Sequence, residues 1–419
     1  RLSMRRNKNK TYHLLFFILQ PFFTFVHYLI NFKKPQAKNI MWLFAVFYGA
    51  TFAIGDESTG SDINRYVNEI GFLNGISLDM EGALLYFYSS GEVDVLRTFL
   101  AVIVSSFTGN GYYLIIVFSV IYGYFYSRNM WYILDRLEGK TKNITRILIF
   151  CLFFAIPLWN MNGFRFWTAA HVFIFGLLPF LFEGNKKSLI WCLITPFLIH
   201  FGFLVTLIPL GIFVLFGNKF KLYYIFFVLT LFISDINIIS FNKVIETYAP
   251  QSLIDRSVNY REEDKVSQLR EGDRADIVWY AKYYTIALRY TLTAFLLVIC
   301  WNYRKGRSTN DNLFKLLGFI LLFYGFANIF STLPSGYRFL KVANLLTLSF
   351  LVIYFQEKVV VKSTYLLSKT AIPFLIFFII ISIRLSWYSL STMTIIGNPI
   401  TAILTFGDNL AINDIIKGF

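Results

Sequence analysis

Long runs without a single Asp, Glu, Lys or Arg set the pattern of this chain; Ile147–Phe164, Leu222–Ser234 and Leu316–Tyr337 are three of them. A soluble fold of this size has nowhere to bury so much unbroken apolar sequence. A helix that crosses hydrocarbon requires it, because about 20 mostly apolar residues are needed to span the bilayer core. The pattern predicts spans near 14–31, 40–54, 111–127, 146–160, 166–182, 188–200, 201–216, 222–240, 283–301, 313–330, 339–355 and 366–383. The expected fold class is therefore an all-α polytopic membrane protein with about 11–13 transmembrane helices. One integral membrane domain covers 1–419. Residues 55–110 predict an outer loop that holds an amphipathic helix at Val95–Phe107, and residues 241–282 predict a large, densely charged outer loop.

Composition sharpens this picture. The chain has 419 residues, of which only 15% are charged, and it carries 48 Phe and 26 Tyr. Ordinary globular domains have about 25% charged residues, and the surplus of aromatics suits lipid-facing surfaces with interfacial belts. The net charge of +15 would suggest nucleic acid in a soluble protein. Here much of the Lys and Arg falls in short loops, such as 32–39, 127–146, 183–187, 217–221, 302–315 and 356–369. The positive-inside rule places those loops in the cytoplasm and their alternates outside. Expected contacts are thus membrane lipids and an anionic substrate, and no nucleic acid. The basic stretch Met4–Lys10 does not fit an even number of spans, and Gln20 with Pro21 interrupts the first apolar run. A re-entrant or interfacial first segment would return the basic end to the cytoplasm. That run lacks a small-residue cleavage site, so it reads as retained rather than as a signal peptide.

Three cysteines, Cys151, Cys192 and Cys300, all lie in apolar runs. No paired-cysteine or Cys/His spacing predicts a metal site, no Gly-rich nucleotide fingerprint is present, and no cofactor is expected. The two halves show no internal echo in span length or in Gly and Pro breaks, which disfavours an inverted-repeat transporter.

Charges that do stand at membrane boundaries are the candidates for chemistry. Four groups share the outer side: Asp56 to Tyr66, with Asp62 and Arg65; Asn160 to Arg165, with Asn162 and, deeper, His171; His200, between two apolar runs; and Pro334 to Arg338, with Tyr337 and then Lys341. Each also has a plain structural reading. An end-of-span arginine snorkels to headgroups, a lone histidine packs in a bundle, and Asp56 or Asp62 caps a helix. Taken jointly, Arg165 and Arg338 would supply guanidinium forks for phosphate oxygens. His200 would take a proton from a hydroxyl near neutral pH. Aromatics such as Tyr66 and Tyr337 would stack on sugar rings.

At the segments Asp62-Ile63-Asn64-Arg65-Tyr66, Asn162-Gly163-Phe164-Arg165-Phe166, Ile199-His200-Phe201, Gly336-Tyr337-Arg338-Phe339 and Gly397-Asn398-Pro399, the chain resembles the Wzy-type (EpsG-like) polysaccharide polymerases of bacterial inner membranes. The resemblance implies a GT-C-like helical architecture and metal-independent joining of oligosaccharide repeat units carried on undecaprenyl diphosphate, with the active site facing the periplasm. It implies that Arg165 and Arg338 hold diphosphate and that His200 is the candidate general base. Asp56, Asp62, Arg65, Tyr66, Asn162, His171, Tyr337 and Lys341 are the candidate substrate contacts. A chain-length regulator is an implied partner. Phe166 departs from the polar residue that many relatives carry after the arginine. The competing expectations are a lipid-linked oligosaccharide flippase, a ligase-like transferase, a membrane acyltransferase and a non-catalytic scaffold. A flippase would need charged groups accessible from both faces in turn, whereas these candidates share one face.

Overall fold

A computed structural model describes residues 12–54, 62–76, 82, 85–86, 94–233, 278–303, 311–333, 335–357, 360–407 and 409–418. Asp56 and nearly all of the charged loop 241–282 lie outside the described residues.

Among the described residues the regular structure is helical. In chain order the helices are α1 (Pro21–Ile30), α2 (Ala37–Ala50), α3 (Asp62–Gly75), α4 (Val95–Ser105), α5 (Tyr112–Leu134), α6 (Asn143–Ala155), α7 (Phe164–Glu183), α8 (Leu189–Ile194), α9 (Leu207–Phe216), α10 (Phe220–Thr230), α11 (Trp279–Tyr303), α12 (Asp311–Phe330), α13 (Arg338–Gln356), α14 (Lys362–Ser386), α15 (Thr392–Ile396), α16 (Pro399–Leu404) and α17 (Ile412–Lys417). Among the described residues five stretches are long and apolar enough to cross a membrane: Asn143–Glu183, α11, α12, α13 and α14. Shorter apolar stretches are Pro21–Ile30, Val95–Ser105, Phe201–Phe216 and Phe220–Thr230. The architecture is that of a helical protein compatible with several passes through a bilayer.

The chain packs into two compact units. The first comprises Arg1–Glu138, Pro157–Leu204 and Ile383–Phe419. At its centre α5 lies between α2 and α7. The α2–α5 contact depends on Gly123, where a Cβ would stand 2.4 Å from the Ala45 methyl. Small residues let two helix backbones approach where there is no aqueous hydrophobic drive between them. Gly123→Val is expected to destabilise this unit by about 1–3 kcal/mol through overpacking, read as a lowered melting temperature of the detergent-purified protein. On the other side of α5, the Phe118 and Phe164 rings stack at 3.7 Å. Around them Tyr66, Ile70, Leu73, Ala101, Val104 and Leu114 close a core between α3, α4 and α5.

The C-terminal residues fold back onto α2 in the same unit. The Tyr48 hydroxyl meets Ser389 Oγ at 2.8 Å, Thr51 Oγ1 meets Thr394 Oγ1 at 2.8 Å, and Ser391 Oγ donates to the Thr51 carbonyl at 2.7 Å. The Gly397-Asn398-Pro399 motif has a structural use there. Asn398 Oδ1 accepts from the Ile400 and Thr401 backbone N–H groups, each at 3.0 Å, and Pro399 opens α16 at a position whose N–H has no intrahelical partner.

The second unit comprises Gly139–Ile156 and Val205–Ser382. Helix α12 packs against α9, α10 and α13, and α13 also packs against α6 and α11. Helix α13 is buried along nearly its whole length, with Leu346, Leu348, Phe350, Leu351 and Val352 all fully covered.

Candidate functional site

The local structure around His200 begins with a break in a helix. After α8 the backbone widens into a π-turn over Thr195–Ile199, opened by Pro196, which has no N–H to give. His200 then adopts an extended conformation (φ −155°, ψ 114°), and a 3₁₀ turn follows over Phe201–Thr206. The break lifts the imidazole out of the helical ladder and frees the Phe201 N–H for another acceptor.

That acceptor is Asp94. The residue sits at the N-cap of α4, where an aspartate commonly bonds the first backbone N–H groups of its own helix. Asp94 makes no such bond. Its Oδ1 instead accepts the Phe201 N–H at 3.0 Å, and its Oδ2 lies 3.0 Å from His200 Nδ1 and 3.1 Å from Arg165 Nη1. Arg165 reaches it from the second position of α7, just after the 3₁₀ turn Leu158–Gly163 that carries Asn162. Helix α4 packs on the π-turn, which holds the carboxylate and the imidazole in register.

The Asp94 side chain is 5% exposed, against 24% for Arg165 and 17% for His200. Burial pushes the Asp94 carboxyl pKa up. The contacts from His200, Arg165 and the Phe201 N–H outweigh it, so the group lies below its ordinary carboxylate value. An ionised carboxylate can only accept, so in a neutral ring Nδ1 carries the hydrogen and the lone pair is on Nε2. His200 Nε2 makes no hydrogen bond to any described residue.

Tyr66 joins the site through its ring. The guanidinium carbons of Arg97, Arg65 and Arg165 lie 5.1, 5.4 and 5.9 Å from its centroid. Each of these arginines has its own acid. Arg65 pairs with Asp62 at 3.0 Å near the surface, Arg165 pairs with Asp94, and the buried Arg97 forms an ion pair with Glu69. The Tyr86 hydroxyl donates to the other Glu69 oxygen at 2.7 Å. Among the described residues each of these three cations is thus matched by an acid, and Arg165 pairs with the Asp94 carboxylate.

Of the residues expected from sequence, Arg165, His200, Tyr66, Asp62 and Arg65 gather in this region of the first unit. His171 is fully buried and packs edge-on against the rings of Tyr122 and Tyr126 at 5.1 and 5.2 Å, where Asn129 Nδ2 donates to its backbone carbonyl at 2.7 Å. That place is in the α5–α7 packing. Tyr337, Arg338 and Lys341 belong to the second unit, at the start of α13. There Ser335 adopts φ 58°, the left-handed region that costs a non-glycine residue energy. A Cβ on Gly336 would stand 1.8 Å from the Phe330 carbonyl oxygen, so only glycine fits the turn. Asp94, Arg97 and Glu69 are site residues that sequence reasoning missed. Among the described residues no three His, Cys, Asp or Glu side chains gather as metal ligands would. Comparison with known proteins finds no matching family model, no matching curated protein and no matching solved structure.

Proposed function

We propose that this protein is a membrane-embedded polymerase that transfers a growing glycan from a polyprenyl-diphosphate carrier to the hydroxyl of a second lipid-linked repeat unit. The observation that carries the reading is the Asp94 carboxylate, which bridges His200 Nδ1 and Arg165 Nη1 on one oxygen. An imidazole oriented by a buried carboxylate is suited to general-base work, typically worth about 10²–10⁴ in rate. An arginine beside it supplies the positive charge that a departing diphosphate needs.

In this reading the acceptor hydroxyl gives its proton to His200 Nε2 as its oxygen bonds to the anomeric carbon. The bond from that carbon to the diphosphate breaks, and the electron pair leaves with the phosphate oxygen. A single displacement of this kind inverts the anomeric centre. Asp94 stays ionised, keeps the ring in the useful tautomer and stabilises the imidazolium that forms. Tyr66 is 1% exposed, so its ring holds the three guanidinium groups in place and, contrary to the expectation from sequence, presents no open face to a sugar.

The direct test is incubation of the purified protein with a single lipid-linked repeat unit. A ladder of products differing by one repeat is expected, undiminished by a chelator. Unchanged substrate would remove the polymerase reading, and loss of the ladder with chelator would show that a metal takes part.

A further inference from the structure

The second unit holds a charge that the first unit's chemistry does not use. Arg289 is the eleventh residue of the 25-residue apolar helix α11, about 15 Å from its start at 1.5 Å per residue. A charge at that depth in such a helix is costly unless something cancels it. Arg289 Nη2 donates to Asn328 Oδ1 on α12 at 3.0 Å, and Asn328 Nδ2 in turn donates to Thr230 Oγ1 on α10 at 3.1 Å. One turn away on α12, the Tyr324 hydroxyl lies in the field of the same guanidinium and donates to Asn344 Oδ1 on α13 at 2.8 Å. Four helices of one unit thus contribute to one polar ladder. Asn328, Thr230, Tyr324 and Asn344 are all buried, while Arg289 is only partly so.

Every one of those partners is neutral. The ladder orients the guanidinium but does not balance its charge, and Arg289 forms no ion pair among the described residues. A partly desolvated cation set against neutral amides and hydroxyls keeps an uncompensated charge, which an anion at its open side would balance. The planar fork of an arginine matches the oxygens of a phosphate, and Asn328 and the Tyr324 hydroxyl fix the orientation of this one. We infer that Arg289, set by Asn328 and the Tyr324 hydroxyl, is the centre of a phosphate-binding site within the second unit, whichever reaction the first unit carries out. Its ligand is a phosphate group, borne by a lipid or free in solution.

The test uses the whole protein purified in detergent, with phosphatidic acid, diacylglycerol and inorganic phosphate as probes and the melting temperature as readout. A ligand that binds only the folded state raises that temperature. Phosphatidic acid is expected to raise the wild-type value by about 3–5 °C, with no rise from diacylglycerol, and Arg289→Gln is expected to abolish the shift. The same Arg289-dependent rise with inorganic phosphate would assign the site to a free anion; a rise with phosphatidic acid alone would assign it to a lipid headgroup. Should Arg289→Gln fail to fold, Arg289→Lys, which keeps the charge but loses the fork, is expected to keep less than half of the shift. A wild type that responds to neither phosphate probe overturns the site, as does an equal response in the substituted protein.

Discussion

Asp94→Asn is expected to reduce long-chain product by about 100-fold or more in a protein that still inserts and folds, with a lowered melting temperature. Asparagine is nearly isosteric with aspartate and can still accept the Phe201 N–H through its remaining carbonyl oxygen, a bond of 3.0 Å in the native site. What it cannot do is accept from His200 Nδ1 and Arg165 Nη1 with a negative charge on the shared oxygen. If its amide nitrogen faces the ring, it donates to Nδ1, which moves the ring hydrogen to Nε2 and removes the base. The pH dependence separates this from a purely structural role. In the native protein the Asp94 carboxyl is held below the ordinary carboxylate range, so its contribution to stability is present above the unfolded value of about 4 and lost only as pH falls through the depressed value. Between pH 8 and 5 the wild-type rate should therefore show no titration of Asp94. The Asn variant should recover activity steeply as pH rises, because hydroxide then replaces the missing base. A wild-type ladder from Asp94→Asn at neutral pH would dismiss the dyad, and an equal loss at every pH would reduce Asp94 to a structural clamp.

The second large effect is expected at Arg165. Arg165→Ala should lower long-chain product by about 10²–10³, the usual cost of removing one group that stabilises departing charge. It should also weaken the fold. The Asp94 side chain is 5% exposed, and with Arg165 gone it keeps His200 and one backbone N–H as partners. Removing one partner of a buried ion pair costs about 3–5 kcal/mol, and less here, since Arg165 itself is 24% exposed. Arg165→Lys separates the two contributions. It returns the positive charge near Asp94, and so the stability, without the planar fork that grips phosphate oxygens. Stability restored with product still absent supports diphosphate recognition. Full activity in both variants would leave Arg165 as a headgroup anchor and the proposed role of its charge would fail.

Much of the skeleton was legible in the chain. Gln20-Pro21 marks the end of one helix and the start of α1, and the apolar run at Val95 forms α4 as an amphipathic pattern requires. The Asn162-Gly163 turn opens α7 two residues before Arg165, and the helix breaks at His200. Local rules suffice for these features, because Pro lacks a donor, Gly relaxes the backbone and charge is excluded from apolar runs. Asp94 was not legible. An acidic residue ahead of an apolar helix reads as a cap, and only the packing of α4 on the π-turn shows that its oxygens go to residues 71 and 106 positions away. Arg289 was equally hidden, inside a run apolar enough to read as a plain span.

By itself, then, the sequence determined that this is a helical protein with spans of bilayer length, where its helices break, and which cations stand near span ends. Those properties follow from composition and spacing over a few turns. The tertiary structure alone decided that Arg165 shares a carboxylate with His200, that His171 is a packing residue, and that Arg289 leans on a neutral ladder from three other helices. The reason is physical: the free energy of a buried charge depends on which groups surround it in space, and sequence distance carries no information about that.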